Sequence, residues 1–287
     1  MAAGWSSTVR SVSAAQPLPD GQAVVVTALG LQVRIVVTGD RAAEVLELLP
    51  AIWEYCPADP TTDPAATVEV VFDSRSDVLA TADGDGAVAR EHLPDLLQVL
   101  TQRVTLTAID ALAGEALMLH AACLADPRTG LAAAFVAPGG TGKTTLVRAL
   151  GPGRWYVTDE TTLVLDEERV VPYPKPLSIR RAAASLYKNE TAPSEVGLVA
   201  PEGQVRLAAL CLLDRDDSHT GPPEVTTLDT LDALVALVPQ TSHLPEMARP
   251  LQRLAALCES LGGVHRVTYR EASELEDVVE AWIGRSR

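Results

Sequence analysis

The sequence has no paired cysteines, no basic cluster, no apolar run long enough to cross a membrane and no internal repeat. Its four cysteines, Cys56, Cys123, Cys211 and Cys258, lie far apart and none belongs to a CxxC pair. That spacing excludes a disulfide frame and a thiolate zinc site, and it reads as reduced core thiols in a cytoplasmic protein. No apolar stretch approaches about 18 residues, and the opening MAAGWSSTVRSVSAAQPLPDG has no apolar centre of signal-peptide length, so a soluble protein is expected. Lysine and arginine number 23 against 38 aspartates and glutamates, a formal net charge of −15. With nothing more basic than short pairs such as Arg180–Arg181, that balance argues against nucleic acid or an anionic membrane as a partner. His92, His219, His243 and His265 are scattered without metal-ligand spacing.

What remains is ample material for a core. At 287 residues and 47% hydrophobic, the chain suits one large α/β domain or a core domain with a smaller companion. Residues 1–20 are expected to form a loose terminus. Residues 21–113 read as a small α+β unit: a hairpin about Gly30 from strands at 23–27 and 31–37, a helix over 41–55, and a strand at 67–72. An acidic turn at 82–86 and a long helix over about 93–113 complete it. That helix carries Leu96, Leu97, Leu100, Val104, Ile109 and Leu112 on one broad face, and nothing in this half suggests chemistry.

Residues 114–287 read differently. Two apolar strands, 117–125 and 131–137, flank the turn sequence Asp126-Pro127-Arg128-Thr129-Gly130. A short helix from Lys143 to Leu150 stops at Gly151-Pro152-Gly153, and a strand over 155–158 ends in Asp159-Glu160. A hairpin over 161–173, a mobile loop over 188–203 and a buried strand over 205–213 are expected next. Helices at about 229–238, 250–261 and 273–283, with a strand at 264–269, follow.

Between the second strand and the short helix, Ala137-Pro138-Gly139-Gly140-Thr141-Gly142-Lys143-Thr144 fits GxxxxGK[ST] apart from Ala137 at the first glycine, with Thr145 next. Glycines let successive backbone N–H groups turn toward a β-phosphate, where a side chain would block the approach. The helix that follows points its positive end at the same anion. Lys143 is then placed for the β- and γ-phosphate oxygens, and the Thr144 hydroxyl for magnesium. ATP and Mg2+ are the implied cofactors. The strand after the helix returns Asp159 toward Lys143 and Thr144. Pairing Ala125 with Leu131 across the turn places His120 opposite Val136, beside the loop; the alternative is a core histidine satisfied by its neighbours.

Leu119-His120-Ala121, the hairpin, the APGGTGKTT loop and Thr158-Asp159-Glu160 resemble the kinase domain of HPr kinase/phosphorylase and, more distantly, phosphoenolpyruvate carboxykinase. The resemblance covers about 116–215 and implies an α/β fold, a P-loop kinase core of the HPr kinase type. By it, Asp159 is the base toward an acceptor hydroxyl, Glu160 its partner on the metal side, and His120 the family's histidine. Bifunctional HPr kinases carry a glycine-rich segment reading about EIRGLG. Here Pro174-Lys175-Pro176-Leu177-Ser178-Ile179-Arg180-Arg181 keeps only Ile-Arg, which leaves phosphorylase activity and HPr as substrate open.

Lys175 and Arg180 read either as positive charge for a γ-phosphate or acceptor, or as an exposed basic pair on a loop. Three functions fit these motifs. The first is a kinase acting on a peptide serine or a small alcohol, with Asp159 as base. The second is an ATPase or nucleotide switch in which Asp214, at the end of the strand over 205–213, binds the metal; a solvated loop at Asp214–Asp217 is the bland alternative. The third is a nucleotide-binding module without catalysis. The acceptor is not legible.

Overall fold

The computed structural model describes residues 23–180 and 188–284, so the expected loose terminus and Arg181 lie outside the described residues. The chain is mixed α/β. Its N-terminal part runs β1 (Ala23–Ala28), β2 (Leu31–Thr38), α1 (Ala42–Ile52), β3 (Ala66–Val71), α2 (Ser76–Gly84), β4 (Val88–Ala89) and α3 (Leu93–Ala111). The four strands form one sheet in chain order, β1 antiparallel to β2 and the rest parallel. Parallel neighbours need crossovers, which α1 and α2 supply. Where an acidic turn was expected at 82–86, α2 runs to Gly84.

Amphipathic spacing explains how these helices pack. Val45, Leu49 and Ile52 of α1 are buried at intervals of three and four, and α3 buries Leu96, Leu97, Leu100, Val104, Ala108 and Ile109. The same face of α3 buries two hydroxyls, Thr101 and Thr105. Thr101 Oγ1 donates to Leu97 O (3.1 Å), while Thr105 Oγ1 and the Tyr173 hydroxyl share a hydrogen bond of 2.8 Å. The apolar cluster around α3 does not stop at residue 113. It takes in Ala116, Met118, Leu163 and Tyr173 from the second half.

That second half contains β5 (Leu117–Ala125), β6 (Leu131–Val136), α4 (Lys143–Leu150), β7 (Trp155–Thr158), β8 (Thr161–Val164), β9 (Arg169–Val171), β10 (Leu177–Ile179) and β11 (Asn189–Thr191). It continues with β12 (Val205–Arg215), β13 (Glu224–Leu228), α5 (Thr230–Leu237), β14 (Thr241–Ser242), α6 (Pro250–Ser260), β15 (Val264–Tyr269) and α7 (Glu276–Ile283). Nine of these strands make one sheet with the path β13-β15-β12-β6-β5-β8-β9, to which β7 and β14 add by pairing β5. The sheet therefore reaches beyond residue 215, into β13 and β15. β10 and β11 form a separate antiparallel pair, with β11 inside the segment 188–203 where a mobile loop was expected.

Period-two alternation sorts the large sheet into two faces. Ala122 and Leu124 of β5, with Ala133 and Phe135 of β6, pack with Leu146 and Val147 of α4 and Val279 and Ile283 of α7. Leu119, Ala121, Ala134 and Val136 pack on the other face with Ala233 and Leu237 of α5 and Leu254 and Leu257 of α6. His120 has the parity of Ala122 and so shares the side of α4. The hairpin register differs by one residue from the expected pairing: Ala121 faces Val136, Ala125 faces Ala132, and His120 pairs with Thr161 of β8. The Asp126 carboxylate sets this register by accepting the amides of Arg128 and Thr129, which draws Asp126 itself into the turn opposite Leu131. All four cysteines are buried free thiols. Among the described residues no helix is long and apolar enough to cross a membrane.

Candidate functional site

β6, an interior strand between β12 and β5, delivers the glycine-rich loop at its C-terminal end. Ala137 is the last buried residue before it, packed with the α4 face, and Pro138, Gly139 and Gly140 are exposed. Ala137 needs no positive φ, which explains why alanine serves at the first position of the motif. Gly140 (φ +81°) and Gly142 (φ +102°) do need it, and Gly142 opens α4 as its N-cap. A Cβ added at Gly139, Gly140 or Gly142 would meet nothing within 4 Å, so the loop faces open space rather than a packed neighbour.

Behind the loop lies a cleft of about 450 Å3 lined by Gly139, Gly140, Gly142, Lys143, Thr144 and Thr145, by His120, Asp159, Glu160 and Lys175, and by Ser178, Ile179 and Arg180. Pro138 and Thr141 do not line its wall. They are engaged with each other, Thr141 Oγ1 donating to Pro138 O at 2.8 Å.

Lys143 bends back over its own loop. Its Nζ donates to Ala137 O (2.6 Å) and Pro138 O (3.1 Å) and lies 2.8 Å from His120 Nε2. Burial lowers the Lys143 pKa to about 8, against the opposing pull of Glu160 and Asp159. Burial and the Lys143 charge lower that of His120, so a neutral imidazole accepts from the ammonium near pH 7.

Asp159 emerges from β7 into a network of four groups. Thr144 Oγ1 donates to its Oδ2 (2.7 Å), the Tyr156 hydroxyl to its Oδ1 (3.0 Å), and Lys175 Nζ stands 2.9 Å from Oδ1 and 3.2 Å from Glu160 Oε2. Asp159 is 4% exposed and Lys175 only 2%. Burial works against the Asp159 charge, but Lys175 and the donors from Thr144, Lys175 and Tyr156 outweigh it and hold the carboxyl below its ordinary range. The ammonium of Lys175 is in turn held charged by Asp159 and Glu160 despite burial. Lys175 is thus no member of an exposed basic pair; Arg180 alone is exposed.

Asp214 lies elsewhere. β12 runs parallel to β6 with Leu212 beside Val136, and Ala209, Cys211 and Leu213 face α4. Alternation turns Asp214 to the opposite side, where it is exposed and 3.5 Å from Thr268 Oγ1 of β15. Neither it nor Asp217 lines the cleft.

Several cleft residues were not anticipated. Thr101 and Gln102 come from α3, in the half that carried no chemical signal; Arg148 comes from α4 and Lys188 from the foot of β11. Tyr156 has no motif to mark it. Glu190 of β11 is buried, its Oε1 accepting from the Ser178 hydroxyl, and burial raises its pKa to about 7 against the pull of Lys175. Two hydroxyls on the apolar face of α3 were the one signal available beforehand.

No protein-family model matches the chain, and no curated protein matches it. Among solved structures, the HPr(Ser) kinase/phosphatase from Coxiella burnetii is matched over 58% of this chain and 93% of that chain, at 11% identity and a TM-score of 0.31. A likeness that slight carries no argument, and the site's own geometry has to.

Proposed function

We propose that this protein is an ATP-dependent kinase that transfers a γ-phosphoryl group to a hydroxyl, on a peptide serine or a small alcohol. The observation that carries the reading is the bond from Thr144, inside the phosphate loop, to the buried carboxylate Asp159. It joins the element suited to hold phosphates to a group suited to take a proton.

In this reading the loop amides and the first turn of α4 cradle the phosphates, since the first N–H groups of a helix have no intrahelical acceptor. Lys143 exchanges its contacts with Ala137 O and Pro138 O for the β- and γ-phosphate oxygens, while His120 keeps the ammonium aimed into the cleft. Thr144, Asp159 and Glu160 offer hard oxygen donors, which suit magnesium shared with phosphate oxygens. Among the described residues no group of three or more His, Cys, Asp or Glu could hold a metal alone. Thr144 Oγ1 and Glu160 would hold the ion, whose charge offsets that of the phosphoryl oxygens. The acceptor oxygen bonds to the γ-phosphorus as the bond to the ADP oxygen breaks, and the acceptor proton passes to Asp159. Lys175 keeps Asp159 ionised and ready. In a loose phosphoryl-transfer transition state little proton transfer is needed early, so a carboxylate of low pKa suffices where its position is fixed.

The direct test is transfer of label from γ-labelled ATP, with magnesium, to a panel of serine peptides, small alcohols and products of neighbouring genes. Label is expected on a hydroxyl of one acceptor class. Turnover that releases only free phosphate with every acceptor would defeat the kinase reading.

The loop glycines give a second expectation. Gly139 has neither positive φ nor a close neighbour, so Gly139→Ala should change stability by less than about 0.5 kcal/mol. Its Cβ would project where phosphate must approach, weakening nucleotide affinity by about tenfold or more, some 1.4 kcal/mol. Gly142→Ala should cost about 1–2 kcal/mol of stability as well, from the left-handed backbone. Melting curves and calorimetric titration with ATP separate the two.

A further inference from the structure

Five cationic side chains line the cleft, Lys143, Arg148, Lys175, Arg180 and Lys188, against two carboxylates, Asp159 and Glu160. In a chain of net charge −15 this local excess runs against composition. Elsewhere arginines find acids: Arg41 with Glu44, Arg75 with Asp73, Arg128 with Asp126, Arg154 with Glu276. Lys175 is committed to Asp159 and Glu160. Among the described residues no carboxylate lies within ion-pair distance of Arg148, Arg180 or Lys188.

The four cations other than Lys175 divide by element. Lys143 and Arg148 stand on α4, on the nucleotide's side. Arg180 and Lys188 stand at the ends of β10 and β11, one step past the pair Ile179 and Asn189, so the antiparallel register brings them opposite each other. The amide of Lys188 donates to Gln98 Oε1 of α3 at 3.3 Å, which ties this end of the hairpin to the helix that contributes Gln102 one turn later. The cleft therefore has a second cationic station, separate from the phosphate loop and walled by the N-terminal unit.

We infer that the acceptor is an alcohol with a carboxylate close to its hydroxyl, the carboxylate held by Arg180 and Lys188 beside Gln102 while the hydroxyl points to Asp159. Its source is a serine flanked by acidic residues or a small hydroxy acid, which share this chemistry. The inference rests on the kinase reading for the fate of the hydroxyl, but the binding it describes does not. Two unpaired, partly exposed cations should discriminate by about tenfold, the scale of two screened ion pairs, and less in high salt.

Two matched pairs of probes test it on the full chain: a peptide with one serine between aspartates and its asparagine twin, and glycerate with glycerol. Binding is measured in the presence of a non-hydrolysable ATP analogue, and transfer with labelled ATP. The acidic member of one pair should bind about tenfold more tightly, and that pair identifies the source. Arg180→Ala with Lys188→Ala should abolish the preference through KM, leaving kcat, ATP affinity and acceptor-free ATP hydrolysis within about twofold. Equal binding of acidic and neutral twins in both pairs would overturn the inference. So would a double variant that loses ATP affinity in step, because the cations would then belong to the nucleotide. Preferential binding of an acidic twin without any transfer would uphold the subsite and sink the kinase reading instead.

Discussion

Asp159→Asn is expected to lower phosphoryl transfer by about a hundredfold or more, the scale of a lost general base, while nucleotide affinity stays within a few-fold. The amide keeps the volume of the carboxylate, and its oxygen can still accept from Thr144 Oγ1, so the loop should hold its shape. What disappears is the proton acceptor, along with half of the charge that balances Lys175. Lys175 would keep Glu160 at 3.2 Å, so the stability loss should not exceed about 3 kcal/mol, the lower end for breaking a buried pair. Asp214→Asn supplies the contrast. Exposed at the end of β12 on the far face of the sheet, it should be tolerated with activity nearly unchanged. The pair is measured as single-turnover transfer to the acceptor, with ATP affinity and melting temperature alongside. Similar small effects from both substitutions would count against Asp159 as the base.

Lys143→Ala should separate function from stability in the opposite sense. Nucleotide affinity is expected to fall by about a hundredfold, near 2.7 kcal/mol, because a desolvated charge is removed from the phosphates. The fold should gain rather than lose. Burial holds the Lys143 pKa near 8, below the ordinary lysine value of about 10.4. Between those values the unfolded chain binds a proton that the folded chain does not, so stability rises with pH across that window and the cost of burying the charge is fully present below about pH 8. Removing the side chain should therefore leave the melting temperature at pH 7 unchanged or higher. The same linkage acts on wild-type binding. Phosphate restores the proton to Lys143, so binding above about pH 8 takes up a proton and affinity falls by up to about tenfold per pH unit. Calorimetry in buffers of different ionisation enthalpy detects the uptake, and ATP affinity in the variant that matched wild type would remove the loop from the site.

Much of this site was readable because it is written in local patterns. The loop, the short helix, and the apolar strands on either side of it announce themselves by glycine spacing and by alternation. His120 stands out as a polar residue in an apolar strand. The misreadings share a different character. α2 was hidden by Gly84-Asp85-Gly86, whose turn chemistry masks the helix before it. β10 and β11 are three residues each, too short to show a period, and β13 is an edge strand exposed along nearly its whole length. The one-residue slip between β5 and β6 depended on a carboxylate turning into its own turn, a choice that side-chain hydrogen bonding makes and hydropathy does not record. Lys175 could be assigned charge but not burial, since its partners are 15 and 16 residues back in the chain and meet it only through the sheet. Gln102 and Lys188 come to the cleft through tertiary packing, and only the buried hydroxyls of α3 hinted at the first of them.

The shared apolar cluster around α3 has a consequence for how the molecule comes apart. Met118, Leu163 and Tyr173 bury themselves against residues of the first 112, and the Thr105–Tyr173 hydrogen bond crosses the same boundary. A boundary stitched in this way couples the melting of its two sides, so the chain should unfold in a single cooperative step rather than shed its N-terminal sheet first. Excision of that sheet would uncover a sticky apolar face and demolish a wall of the cleft in the same cut.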